Sequence, residues 1–109
     1  MTCVKFDPDD FSVEVLGHAG AGLRGEDIVC AAASMLTMTL IEAAGARPEY
    51  MAHFFVDEDE GIIRVRCCPD EEEEAQCREM FRTICAGYEL LSETYPNHVS
   101  IEGGYYGDE

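Results

Sequence analysis

The sequence predicts an α+β domain in which two helices pack on one mostly antiparallel sheet, in the order β-β-α-β-β-α-β. Three observations predict it. Two long segments, Asp27 to Ala44 and Pro69 to Tyr95, carry helix start and stop signals. A pair of shorter apolar runs precedes each of them. Within each pair the two runs are separated by an acidic turn, Asp7-Pro8-Asp9-Asp10 or Asp57-Glu58-Asp59-Glu60-Gly61, as in a hairpin.

Cys3 to Phe6 reads as the first strand. Phe11-Ser12-Val13-Glu14-Val15 alternates apolar and polar residues, which predicts a half-buried partner strand ending near Gly17 and His18. From Asp27 to Ala44 the only charge inside the segment is Glu42, so this helix is expected to be buried on more than one side, with Gly45 as its C′ glycine and Pro48 preventing its resumption. One face must cover the sheet, and another meets the second helix or another subunit. Tyr50 to Val56 reads as a central strand. Phe54 and Phe55 are expected in the core, with an apolar peptide groove as the alternative. Ile63, Val65 and Cys67 alternate with Ile62, Arg64 and Arg66, which places the arginines on the wetter face.

Pro69 and the carboxylates Asp70 to Glu74 are ordinary helix-start signals, because carboxylates complement the positive end of a helix. Cys77, Phe81, Ile84, Tyr88 and Leu91 then define one apolar stripe, with Glu74 and Arg78 spaced for an i, i+4 pair on the wet side. His98 to Ile101 supplies the last strand. Residues 1–102 therefore form a single domain, and residues 103–109 are expected to be a flexible acidic tail.

Of the 109 residues, 23 are acidic and 7 basic, giving a net charge of −16. Such a charge opposes direct nucleic-acid binding, which needs clustered Lys and Arg, and suits capture of a basic protein. By charge alone, acidic solvation of the surface is the simpler explanation. Neither a membrane span nor an export signal is evident, because Glu42 interrupts the longest apolar run and Met1 to Asp7 has no apolar core. The expected location is cytoplasmic, where six cysteines are free thiols by default. Cys3, Cys67, Cys77 and Cys85 fall in strand or helix patterns as small buried hydrophobes, while the adjacent Cys67 and Cys68 point to opposite faces. No C-x-x-C occurs, and no metal or other cofactor is expected.

Chemistry concentrates between Gly17 and Ser34. Asp27 is positioned as an N-cap, which puts Cys30 at the third helical position, where unpaired amides and the helix dipole favour an anion. His18, at the end of a strand, supplies a base that pairs with a thiolate and later protonates a leaving amine. Between them, Gly20, Gly22 and Gly25 interrupt the loop Ala19, Ala21, Leu23, Arg24 and Glu26, and allow it to move. First-turn amides and loop amides are placed to hold an oxyanion. Packing is the rival reading for Cys30, as surface or capping is for His18. A phosphate loop is opposed by the acidic field and by the absence of a following Gly-Lys-Ser/Thr.

Gly17-His18-Ala19, Gly25, Asp27-Ile28-Val29-Cys30-Ala31-Ala32 and Ser34, with twelve residues from His18 to Cys30, closely resemble the signature of the ribosomal-processing cysteine protease family known as Prp. The resemblance implies a homodimeric cysteine endopeptidase that removes the hydrophobic N-terminal extension of a basic large-subunit ribosomal protein precursor. It implies Cys30 as nucleophile, His18 as base and residues 19–26 as a cover over substrate. Asp27 would cap the helix or orient His18. Ser34 would support the thiol by a hydrogen bond or serve helix packing. Ala21 and Leu23 depart from the bulkier residues that members often carry. The alternative is a non-enzymatic assembly factor that holds the same basic protein; a redox or metal thiol protein is a third.

Overall fold

The computed structural model describes residues 1–17 and 28–103. His18, residues 19–26, Asp27 and residues 104–109, with the readings made for them, lie outside the described residues. Five strands and two helices follow the expected order: β1 (Thr2–Asp7), β2 (Ser12–Leu16), α1 (Ile28–Gly45), β3 (His53–Asp57), β4 (Ile62–Arg66), α2 (Glu74–Thr94) and β5 (Val99–Glu102). Short 3₁₀ turns at Pro48–Tyr50 and Glu71–Glu73 precede β3 and α2. The sheet runs β3-β4-β2-β1-β5, antiparallel except for the β1–β5 pair.

Alternation along the strands divides the sheet into two faces. Val4, Phe6, Val13, Val15, Val65 and Val99 point into one core shared with α1 and α2. Burying a Val, Leu or Phe side chain contributes roughly 1.5–3 kcal/mol before ordering costs, so this face dominates the stability. On the other face, the register aligns Phe55, Arg64, Glu14, Lys5 and Glu102 in one row across all five strands. Arg64 pairs with Glu14 and lies 5.2 Å from the Phe55 ring centroid, so the cations of that row meet carboxylates or an aromatic face.

The stripe expected on α2 is buried as Cys77, Phe81, Ile84, Tyr88 and Leu91. Helix α1 differs from expectation. Its 18 residues, with a mean hydropathy of 1.7, are long and apolar enough to cross a bilayer, yet it lies in the core cluster with the sheet and α2. Only Val29, Ala33, Thr37, Leu40 and Ala44 are buried, while Ile28, Met35 and Met38 are exposed. Thr37 sits in this stripe because its hydroxyl is fully used, donating to the Ala33 carbonyl at 2.8 Å and contacting the Tyr88 hydroxyl. Gly87 brings the two helices close: a Cβ there would lie 2.5 Å from Leu36 Cδ2.

Further expectations are corrected. The run containing β3 is an edge strand rather than a central one, because β4 pairs on its other side with β2; Tyr50 belongs to the 3₁₀ turn before it. Phe54 and Phe55 are consequently exposed and outside the core. Gly45 remains inside α1 and is not among the residues with positive φ, so it is not a left-handed C′ residue. The Arg78 guanidinium stacks 4.7 Å from the centroid of the Phe11 ring, where cation and aromatic face attract, in place of the anticipated pairing with Glu74. Cys67, Cys77 and Cys85 are buried as expected, but Cys3 is half-exposed because it alternates with the inward Thr2 and Val4. Gly103, assigned to the tail, packs against β1: a Cβ there would overlap the Phe6 carbonyl oxygen.

Burial pushes the Cys67 thiol and the Tyr88 phenol up to about 12, from ordinary values of 9.0 and 10.0. Folding therefore holds both groups neutral, whereas the unfolded chain releases their protons first as pH rises. The urea midpoint is expected to fall progressively between pH 9.0 and about 12. Tyr88→Phe should make that fall shallower and, at neutral pH, cost about 1 kcal/mol through the lost Thr37 contact.

Candidate active site

Cys30 is the third residue of α1. First-turn amides have no partner within the helix, and the aligned peptide dipoles make this end positive. Its thiol is half-buried and opens on a groove of about 300 Å³ between α1 and the sheet. Helix α1 lines one side with Cys30, Ala33, Ser34, Thr37, Met38 and Ile41. The sheet supplies Thr2, Val15, Val56, Ile62 and Ile63, and Asp57 and Glu58 add an acidic wall at the β3–β4 turn. The groove exists because α1 covers the middle of the sheet without reaching across β3, whose Val56 is left 51% exposed.

Gly17 reaches the same groove at the end of β2. Its amide donates to the Gly61 carbonyl at 2.8 Å, tying the end of β2 to the β3–β4 turn. Its φ is +83°, and a Cβ would stand 2.6 Å from the Met1 carbonyl oxygen. Both the backbone conformation and the close approach require glycine there. Gly17 is therefore held at a fixed point on the groove that Cys30 lines.

A family model described as cysteine protease Prp matches residues 1–100. The chain belongs to the Prp cysteine protease family. It is therefore a cysteine protease, and the non-enzymatic and metal-thiol alternatives give way. No curated protein matches the chain. Among solved structures, the fold is similar to the ribosomal processing protease Prp from S. aureus with a covalently linked product peptide, at 24% identity and TM-score 0.79, covering 94% of this chain and 98% of that one. SMU.848 from Streptococcus mutans is similar at 25% identity and TM-score 0.72, with 94% and 96% covered. S. aureus Prp with a substrate peptide gives 20% identity and TM-score 0.71, with 93% and 95% covered.

Of the described residues in the Prp-like signature, Gly17, Cys30 and Ser34 line one groove, whereas Val29 is buried in the core and Ile28 is exposed. Ser34, one turn beyond Cys30, is exposed. Among the described residues, no group of three His, Cys, Asp or Glu side chains is placed to hold a metal ion. Sequence reasoning missed Thr2, Val15, Met38, Ile41, Val56, Ile62 and Ile63 as groove residues. Val15, Met38, Ile41, Val56 and Ile63 read locally as ordinary core positions, and only the packing of α1 beside β3 turns them, with Thr2 and Ile62, toward a common space.

Gly17→Ala is expected to cost on the order of 2 kcal/mol, from the left-handed backbone and the overlap with Met1. It should also depress peptide cleavage beyond the stability loss, because the end of β2 must shift. Denaturant midpoints and turnover of the refolded variant check both effects.

Proposed function

We propose that this protein is an endopeptidase that removes the N-terminal extension of a large-subunit ribosomal protein precursor, with Cys30 as nucleophile and His18 as general base and acid. The observation that carries the reading is the opening of Cys30, at the positive end of α1, on an apolar groove with an acidic wall. Such a groove suits a hydrophobic extension attached to a basic protein: the apolar walls take the extension, and Asp57 and Glu58 attract the cationic remainder. The similar S. aureus protein is a ribosomal processing protease, solved with a covalently linked product peptide and with a substrate peptide.

The chemistry follows from the groups present. The Cys30 thiolate attacks the scissile carbonyl carbon, forming a C–S bond and a tetrahedral oxyanion near the unpaired first-turn amides. The C–N bond breaks as protonated His18 gives its proton to the departing amine. Water then adds to the thioester with His18 accepting its proton, and the C–S bond breaks to release the acid and the thiolate. Asp27 caps α1 or orients His18. Ser34, i+4 from Cys30 on the same groove, supports the sulfur by a hydrogen bond.

Cys30→Ala is expected to keep the fold, since the side chain is only half-buried, and to reduce cleavage of the precursor by at least about 10³-fold. Mass spectrometry of the precursor with and without each protein measures this. Cleavage by Cys30→Ala at the normal rate would exclude the assignment.

The protein acts in the cytoplasm, on the nascent or free ribosomal protein rather than on nucleic acid or membrane. It works as a homodimer, a reading supported by the exposed apolar side chains Ile28, Met35 and Met38 on α1. Sedimentation equilibrium at micromolar concentration should give twice the chain mass. Met35→Lys with Met38→Lys should shift it toward the monomer.

A further inference from the structure

The groove beside Cys30 carries three hydroxyls on otherwise apolar walls: Thr2, Ser34 and Thr37. They are not equivalent. Ser34 is exposed. The Thr37 proton goes to the Ala33 carbonyl, and the Thr37 oxygen contacts Tyr88. Thr2 is only 3% exposed, yet among the described residues no group bonds to its hydroxyl. Nor is that hydroxyl sealed, since every sealed side-chain oxygen among the described residues has a partner. It therefore opens on the groove that Thr2 lines.

The strand position does not call for this hydroxyl. The Thr2 amide donates to the His98 carbonyl at 2.9 Å, and the next inward residues of β1 are Val4 and Phe6. A buried hydroxyl without a partner is costly, and the cost is relieved when a ligand supplies one. A peptide laid in the groove has the converse need, because its main-chain groups lose water and must be bonded. Its carbonyl oxygens require donors, and of the two buried groove hydroxyls only that of Thr2 has no acceptor among the described residues.

We propose that Thr2 is a substrate-binding residue whose hydroxyl donates a hydrogen bond to a main-chain carbonyl oxygen of the apolar segment seated beside Cys30. This rests on the reading of the groove as the peptide site. The Thr2 hydroxyl adds direction to it, since an apolar groove alone lets a peptide slide, whereas one buried donor fixes which carbonyl lies there.

The probe is a synthetic peptide with an apolar segment followed by several basic residues. Its dissociation constant is measured with Cys30→Ala, and its cleavage with the active protein. Thr2→Val, which keeps shape and removes the hydroxyl, is expected to raise both Kd and KM about tenfold with kcat within about twofold. Its melting temperature should be unchanged or higher, which a merely structural role of the hydroxyl would not give. Thr2→Ser should bind like wild type. If Thr2→Val does not fold, Thr2→Ala must show the same tenfold loss. Binding by these variants as tight as wild type overturns the role of Thr2 while leaving the groove assignment standing. A wild-type protein that neither binds nor cleaves the peptide overturns the groove assignment, and the role of Thr2 with it.

Discussion

The seating of α1 by a single buried stripe is the constraint on which the rest depends. Val29, Ala33, Thr37, Leu40 and Ala44 recur at intervals of three or four residues and face the core. Two of the five are alanine, and Gly87 on α2 lets Leu36 come close from the neighbouring helix. With its axis fixed there, the first turn of α1 carries Cys30 to the edge of the core rather than into it. The flank of the helix becomes one wall of the groove, and β3 is left uncovered beyond it. The same seating explains how an all-round apolar helix keeps Met35 and Met38 exposed.

The second constraint is a meeting of chain ends at the groove. Gly17 lies so close to the Met1 carbonyl that no other residue fits without displacement, and its amide is held by Gly61. Three segments distant in sequence, the start of β1, the end of β2 and the β3–β4 turn, are thereby locked at one point beside Cys30. The glycine that opens the signature is thus needed for close approach.

Acidity is handled differently on the two sides of the sheet. Across the open face, Arg64 and Lys5 alternate with Glu14 and Glu102, so that neighbouring strands carry opposite charges. At the start of α2, Glu71 to Glu73 form a 3₁₀ turn whose Glu73 meets Arg47 at 3.4 Å. These carboxylates serve local structure and solvation. Among the described residues, Asp57 and Glu58 are the acidic ones that line the groove.

The sequence by itself determined the element order, the stripe of α2, the inward residues of β4 and the placement of Cys30 in the first turn of a helix. These depend on period, turn chemistry and helix-end electrostatics, which act over a few residues and are written locally. Its signature residues were also enough to indicate a thiol protease. Tertiary structure alone decided that β3 is an edge, that Phe54 and Phe55 are exposed, that Arg78 covers Phe11, and that Thr2 shares a groove with Cys30. Strand order, and the distance a helix reaches across a sheet, are settled by how whole faces pack. An apolar run reads the same whether its neighbours cover it or leave it open.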